Sequence, residues 1–477
     1  MARCNIFVSC LFCAPMRKNK ILFVLALLLM AMPAFAAAPD STATGSNSIL
    51  DAFRKGKASG RFRYYYMYTD NAGSLTDYYA HAVGGAVKFE TGQFHHFQLG
   101  VGSAFTYNLA SSDLSVPDPQ TGQPNRYEIG LFDVQDPKNT SNLFRLEELY
   151  LKYNLPIGDI VAGKQAINTP FINPQDGRMR PTFADGLLTH LHFGKTTIDG
   201  GWLYGMAPRS TQHWYYIDQS IGLYPVGVNT NGTKSGYYGN LQSKGIALVN
   251  IAQQFTPEIK LSLSEQFVEN IFNTAMLQFN YEPQLSEKSK LIFAAQATRQ
   301  DAVNDGGNPD STKTYFEKGG KSWAFSERIG FKSEHWDASV NYTRITADGR
   351  YLMPREWGRD HFFTFMPRER NEGSGDVHAV MGKAAYTFSV PGLRAELAAG
   401  HFEMPDVKNF RLNKYGQPSY NQYNVDVRYG FRGLLKGADV QLLYMYKQAT
   451  GNTYNSNKYV FNRVNMSSVN LIVNYSF

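Results

Sequence analysis

Asp176, Arg178 and Arg180 alternate along a short segment between Pro174 and Pro181, with Gly177 inside it and Pro170 upstream. Proline fixes φ and glycine permits a tight turn, so the segment is stiff and its opposite charges stand beside one another. Charges held in that way either meet water at a surface or, in an enclosed space, narrow it and set a transverse field. A second charged and aromatic stretch runs from Met353 to Asp360 and on through Pro367-Arg368-Glu369-Arg370. It is suited to gating an enclosed space, to contacting a sugar or a peptide or lipopolysaccharide phosphates from outside, or to pairing its own charges in water. Covalent and metal chemistry find less support. The three cysteines are Cys4, Cys10 and Cys13, so nothing after them can form a disulfide or act as a thiol nucleophile. None of the ten histidines falls in a nucleophile elbow, zinc signature or phosphate loop, although His190 and His192 share one face of a strand. No catalytic residue, metal site or cofactor is expected.

Charge is concentrated at the start of the chain. Arg17, Lys18 and Lys20 precede the apolar run Ile21 to Met32, and Ala34-Phe35-Ala36 follows, the pattern of a secretory signal peptide over residues 1–36. Met16 would begin a leader of more usual proportions. Those 36 residues carry four basic side chains and no acid, so a net charge of +7 falls to +3 without them. That balance argues against a nucleic-acid binder, which needs a concentrated basic face. The chain also has 30 Tyr and 32 Phe at a mean hydropathy of -0.35, so its aromatic residues need a place other than an ordinary core.

After residue 36 no apolar run approaches the roughly 18 residues of a membrane helix. Alternation is the dominant pattern instead. Phe62, Tyr64, Tyr66 and Tyr68 alternate with Arg61, Arg63, Tyr65 and Met67, and Tyr423, Val425, Val427 and Tyr429 alternate with Asn424, Asp426, Arg428 and Gly430. Such period-2 segments place an apolar row on one face and a mostly polar row on the other. Short connections such as Leu155 to Gly158, Thr256 to Glu258 and Gly433 to Gly437 take turns with long polar loops near 109–142, 167–185, 206–241, 300–320, 348–376, 404–419 and 448–458. Turns at one end and long loops at the other predict an all-β, transmembrane antiparallel β-barrel, with both termini periplasmic. The strand tally from 57 to 477 is 18, including a last strand over 458–477, and 16 also fits. Before it, residues 37–56 form a short periplasmic segment in which Ser48 to Gly56, with Ile49, Leu50 and Phe53 on one side, predicts a short helix. At the other end Val469, Leu471, Val473, Tyr475 and Phe477 share a face, and Tyr475 and the terminal Phe477 resemble the recognition signal of the barrel-assembly machinery.

Three stretches resemble the OprD-type family of substrate-specific outer-membrane porins. Leu50-Asp51-Ala52-Phe53 with Gly56 and Gly60 to Tyr65 is similar to that family's approach to its first strand. Gly163-Lys164-Gln165, Thr169-Pro170, Asp176 to Pro181 and Gly186 resemble its fifth strand and third loop, and the chain's end is shared with many outer-membrane barrels. The resemblance implies a Gram-negative outer-membrane location, loop 167–185 folded into the pore, and Asp176, Arg178 and Arg180 at its constriction. It implies passive, charge-selective diffusion of small polar solutes, with carboxylate-bearing ones favoured. An oligosaccharide-specific porin and a closed barrel acting as a surface-binding protein are the alternatives. The family's ladder of basic side chains is compatible with lumen-facing candidates assigned by parity: Arg61, Arg63, Lys152, Lys260, Arg328, Lys383 and Arg428. Expected partners are outer-membrane lipid and lipopolysaccharide, the assembly machinery and the solutes, with no nucleic acid, and the protein as a monomer or trimer.

Overall fold

Apolar residues at every second position can face lipid while the other row faces water, and closing the sheet removes its edges. The computed structural model, which describes residues 45–174 and 178–477, closes 18 antiparallel strands in this way. They are β1 (Lys57–Asp70), β2 (Tyr78–Glu90), β3 (Phe97–Ser111), β4 (Leu143–Leu155), β5 (Gly158–Ala166), β6 (Phe183–Phe193), β7 (Thr196–Ala207), β8 (Ile246–Gln254) and β9 (Ile259–Val268). The circuit continues with β10 (Phe272–Tyr281), β11 (Ser289–Ala302), β12 (Lys321–Ser333), β13 (Trp336–Ile345), β14 (Val377–Thr387), β15 (Leu393–Glu403), β16 (Tyr420–Gly430), β17 (Ala438–Ala449) and β18 (Met466–Ser476). Two short segments, Tyr215–Tyr216 and Gln284–Ser286, only extend the pairing of β7 and β11. The barrel closes between β18 and β1, in register from Arg61↔Ser476 to Asp70↔Ser467. Phe477 and Gly60 exchange backbone hydrogen bonds at the lower end of that seam. No helix among the described residues is long and apolar enough to cross a membrane.

The last strand begins at Met466 rather than 458, because Asn457–Tyr459 form a 3-10 turn and Phe461 and Val464 turn into the lumen to be buried. Likewise β8 starts at Ile246 rather than 241, since Leu241 is drawn into a buried cluster. The predicted leader, residues 1–36, lies outside the described residues.

Leu263, Ile329, Val340, Val380 and Leu397 project outward along the middle of their strands. Aromatic side chains mark both ends of that surface: Phe193, Phe255, Trp336 and Phe388 near the turns, and Tyr79, Phe144, Tyr204 and Trp323 near the loops. Amphipathic rings are stable at the two membrane interfaces, which accounts for so much tyrosine and phenylalanine.

Apolar packing occurs inside the lumen, where long loops fold down onto the wall. One cluster joins Trp357, Ile172 and Leu352 to Leu203, Ile246 and Phe272, and another joins Met353, Phe362 and Met366 to Val377, Phe402 and Tyr420. A third sets Tyr127, Ile129 and Met179 against Tyr65, Met67 and Ile472. Each fully buried side chain of this size contributes about 1.5–3 kcal/mol, so these loops belong to the folded barrel.

Candidate functional site

Two loops cross the lumen, and each is held by the wall. The segment between β5 and β6 starts with a turn in which Ile172 N donates to Thr169 Oγ1 at 2.9 Å and Thr169 N to the Ile172 carbonyl at 2.7 Å. Its far end is received by β1: Arg61 donates to the Met179 carbonyl at 3.3 Å, and Arg63 donates to the Arg178 carbonyl and, at 2.6 Å, to Asn474. Two of the candidate ladder residues therefore position a loop.

The segment between β13 and β14 reaches across the pore. On one side Gln300 accepts from Leu352 N at 2.8 Å and returns its amide at 2.6 Å, and Thr298 bonds His361 Nε2 at 2.9 Å. Opposite, Arg368 donates to Asn470 at 2.7 Å and to Tyr65 at 2.5 Å, and the Lys447 ammonium meets Glu369 at 2.7 Å. The stretch through Arg370 is thus an inward loop rather than a surface exposed to lipopolysaccharide or solvent. Apolar side chains interleaved with its charges, Trp357, Phe362 and Met366, are buried against the wall and carry it inward.

The two inward loops meet each other and a third. Asn173 N donates to the Trp357 carbonyl at 3.0 Å, and Thr182 Oγ1 donates to the Glu356 carbonyl at 3.2 Å. A Cβ at Gly358 would lie 2.7 Å from Asn173 Cγ, so this crossing needs glycine. The buried Glu356 carboxylate accepts from Gly222 N and Tyr224 N at 2.9 Å each, tying in the loop after β7.

At this junction a cavity of about 180 Å³ is lined by Arg126, Arg178, Arg209, Arg355, Arg368 and Arg370, with Glu369 as its carboxylate. Arg126 meets Glu369 at 3.0 Å, whereas Arg355 pairs with Glu372, which does not line the cavity. Burial pushes the Glu369 carboxyl up, but Arg126, Lys447 and Arg355 outweigh it and hold the group well below the ordinary range. Among the described lining residues arginine outnumbers carboxylate six to one, and low-dielectric walls strengthen the field of such groups. Tyr127, Tyr224 and Phe365 add ring surface.

Arg178 lines this cavity and donates to the Tyr127 carbonyl; a Cβ on the adjacent Gly130 would come within 2.7 Å of its Nη1. Arg180 is buried beside β4, with Nη1 and Nη2 making no hydrogen bond among the described residues. Asp176 lies outside the described residues. Lys152 faces the lumen but is bonded to Glu90 at 3.1 Å, and Arg428 is bonded to Asp426 at 2.7 Å. Arg328 contacts Asn341 at 2.7 Å and lies over the Phe363 ring at 4.5 Å. Lys260 and Lys383 share the lumen-facing rows of β9 and β14 with Ser264 and Met381. Arg126 and Arg209 were not marked by any sequence pattern beyond the presence of arginine in long loops. Among the described residues no three His, Cys, Asp or Glu side chains converge as a metal site.

The family model for outer membrane porins of the OprD family matches residues 56–477. The chain belongs to the OprD family. This porin is accordingly a channel of the Gram-negative outer membrane. Its match begins after Leu50 to Phe53, so that part of the resemblance lies before the family region. Among solved structures the porin is similar to Pseudomonas aeruginosa OccK9 (OpdG), with a TM-score of 0.70 at 15% identity over 89% of this chain and 99% of that one. Pseudomonas aeruginosa OpdK, in a crystal structure with vanillate, gives 0.68 at 14% identity over 89% and 99%. Acinetobacter baumannii OccAB3 also gives 0.68 at 14% identity, with the same coverage. At these identities the likeness establishes the fold. No curated protein matches the sequence.

Proposed function

We propose that this porin passes small carboxylate-bearing solutes by passive diffusion through the arginine-lined cavity between its inward loops. The observation that carries the reading is the cluster of six arginines that line that enclosure, with Glu369 the one carboxylate among its described lining residues. Guanidinium forks match carboxylate geometry. The ring surface of Tyr127, Tyr224 and Phe365 suits a solute with a flat or apolar body, and the structure of OpdK with vanillate supports an aromatic acid. The terminal Tyr475 and Phe477 serve in this reading as the signal for the barrel-assembly machinery.

Planar-bilayer recording across a salt gradient tests the proposal. The reversal potential should show anion preference, and benzoate or vanillate should interrupt the current more than uncharged analogues of equal size. Cation preference, or equal interruption by both, would reject carboxylate selectivity; a barrel that never conducts would favour a surface-binding protein.

A further inference from the structure

Among the described residues ahead of the barrel is a short helix, α1 (Ile49–Arg54), capped by Ser48, whose hydroxyl accepts from Asp51 N at 3.1 Å. It is tied to the turn between β2 and β3: Gly92 N donates to the Ala52 carbonyl at 2.8 Å and Ser46 N to the Gln93 carbonyl at 2.7 Å. Docking buries Ala52 but leaves Ile49, Leu50 and Phe53 exposed at 62%, 60% and 48%. Apolar side chains of this size gain free energy by leaving water, so three on one short helix call for a cover.

The barrel indicates which cover. Phe53 stacks on Phe89, with ring centroids 6.1 Å apart and an interplanar angle of 19°. Phe89 belongs to the outward row of β2, with Val87 two residues before it and Val101 opposite it in register. Its neighbours Lys88 and Glu90 turn inward to Glu148 and Lys152. The apolar face of α1 is therefore continuous with the lipid-facing wall and extends it past the ends of the strands. Arg54 and Lys57 stand exposed beside it, placed for phosphate headgroups.

We propose that α1 is an interfacial anchor, lying at the headgroup–acyl boundary of the periplasmic leaflet with Ile49, Leu50 and Phe53 in the lipid. The helix precedes the residues matched by the family model, which begin at 56.

The test uses the full chain with Cys4, Cys10 and Cys13 replaced by Ser, leaving Leu50→Cys as the single site for an environment-sensitive fluorophore. In vesicles of phosphatidylethanolamine and phosphatidylglycerol, the label should emit blue-shifted light, be quenched by doxyl-labelled lipid and be shielded from iodide. A label at Arg54→Cys should remain open to iodide. Adding Ile49→Ser and Phe53→Ser should expose the position-50 label to iodide while single-channel conductance is unchanged, because α1 is outside the lumen. Equal iodide quenching at 50 and 54 would place the helix in water and overturn the proposal. Shielding of position 50 from both quenchers would show a protein cover, supplied by residues 1–44 or a partner, and would overturn it equally.

Discussion

Asn173 and Arg359 clasp two loops across the pore: the Asn173 carboxamide accepts from Arg359 N at 3.0 Å and donates to the Arg359 carbonyl at 3.0 Å. An amide side chain that satisfies both backbone groups of one residue fixes distance and orientation together. The junction above the arginine cavity is therefore set by backbone contacts and is independent of the charges that line it.

Replacing Asn173 with Ala should separate these roles. Two part-buried hydrogen bonds to the Arg359 backbone are lost, at about 0.5–1.5 kcal/mol each. Single-channel records should become noisier, with brief changes of conductance, while the sign of ion preference stays as in the parent. A quiet channel with unchanged conductance would show that the other contacts suffice.

Charge in the cavity should set selectivity. Arg178→Ala and Arg370→Gln each remove a cation from the enclosure and should move the reversal potential toward cations and weaken interruption by benzoate. Arg368 and Arg370 share this cavity with Arg178, so they cannot serve as distant comparators. Arg411 can, because its guanidinium sits at the outer loops against the Ala347 and Asp348 carbonyls. Arg411→Gln should shift the potential less, since exposed charges are screened beyond about 10 Å at 0.1 M salt.

Glu369 sits between Arg126 and Lys447, and Lys447 is fully buried. Glu369→Gln should therefore destabilise the loop, by about 3–5 kcal/mol for a broken buried pair, lowering the temperature at which the folded band converts on a gel. The pH dependence has a definite sign. A carboxyl held below its ordinary value of 4.5 contributes stability that is fully present above that value and is lost only as pH falls through the lower folded value. Conductance of the parent should hold steady from pH 7 down to about 4.5 as far as this group is concerned. A change of conductance between pH 7 and 5 that Glu369→Gln abolishes would contradict that assignment.

The outward row can be tested independently. Val340, exposed at 63%, lies midway along β13. Val340→Arg should cost about 2–4 kcal/mol at the membrane midplane, measured as equilibrium unfolding in lipid vesicles. Replacing its inward neighbour Asn341 would disturb Arg328 instead and alter conductance before stability.

The strands, the sidedness of turns and loops, and the short first helix were legible in the sequence because each depends on neighbours within a few residues. Alternation assigns a face to Arg61 or Arg428 without knowledge of the rest of the chain, and the spacing of Ile49, Leu50 and Phe53 marks one side of α1. The arginine-lined cavity was legible only in part. Arg178 was singled out, but its cavity partners Arg126 and Arg209 come from other loops and bear no local mark. Arg61 and Arg63 were assigned to the correct face, yet their use as holders of the third loop depends on Arg178 and Met179, more than 110 residues away.

The stretch from Met353 to Arg370 shows most plainly where local pattern stops being informative. Its charges suggested a surface in water, whereas Arg368 bonds Tyr65 across 303 residues of sequence and Glu369 bonds Lys447. A charged loop can enter a barrel only if the wall supplies its partners and buried apolar neighbours offset its desolvation. Those partners are brought together by closure of β1 against β18. Sequence alone determined the wall and the facing of its side chains, because alternation is local; tertiary structure decided which loops fill the lumen and which arginines meet there, because desolvation is offset only by groups that closure brings near.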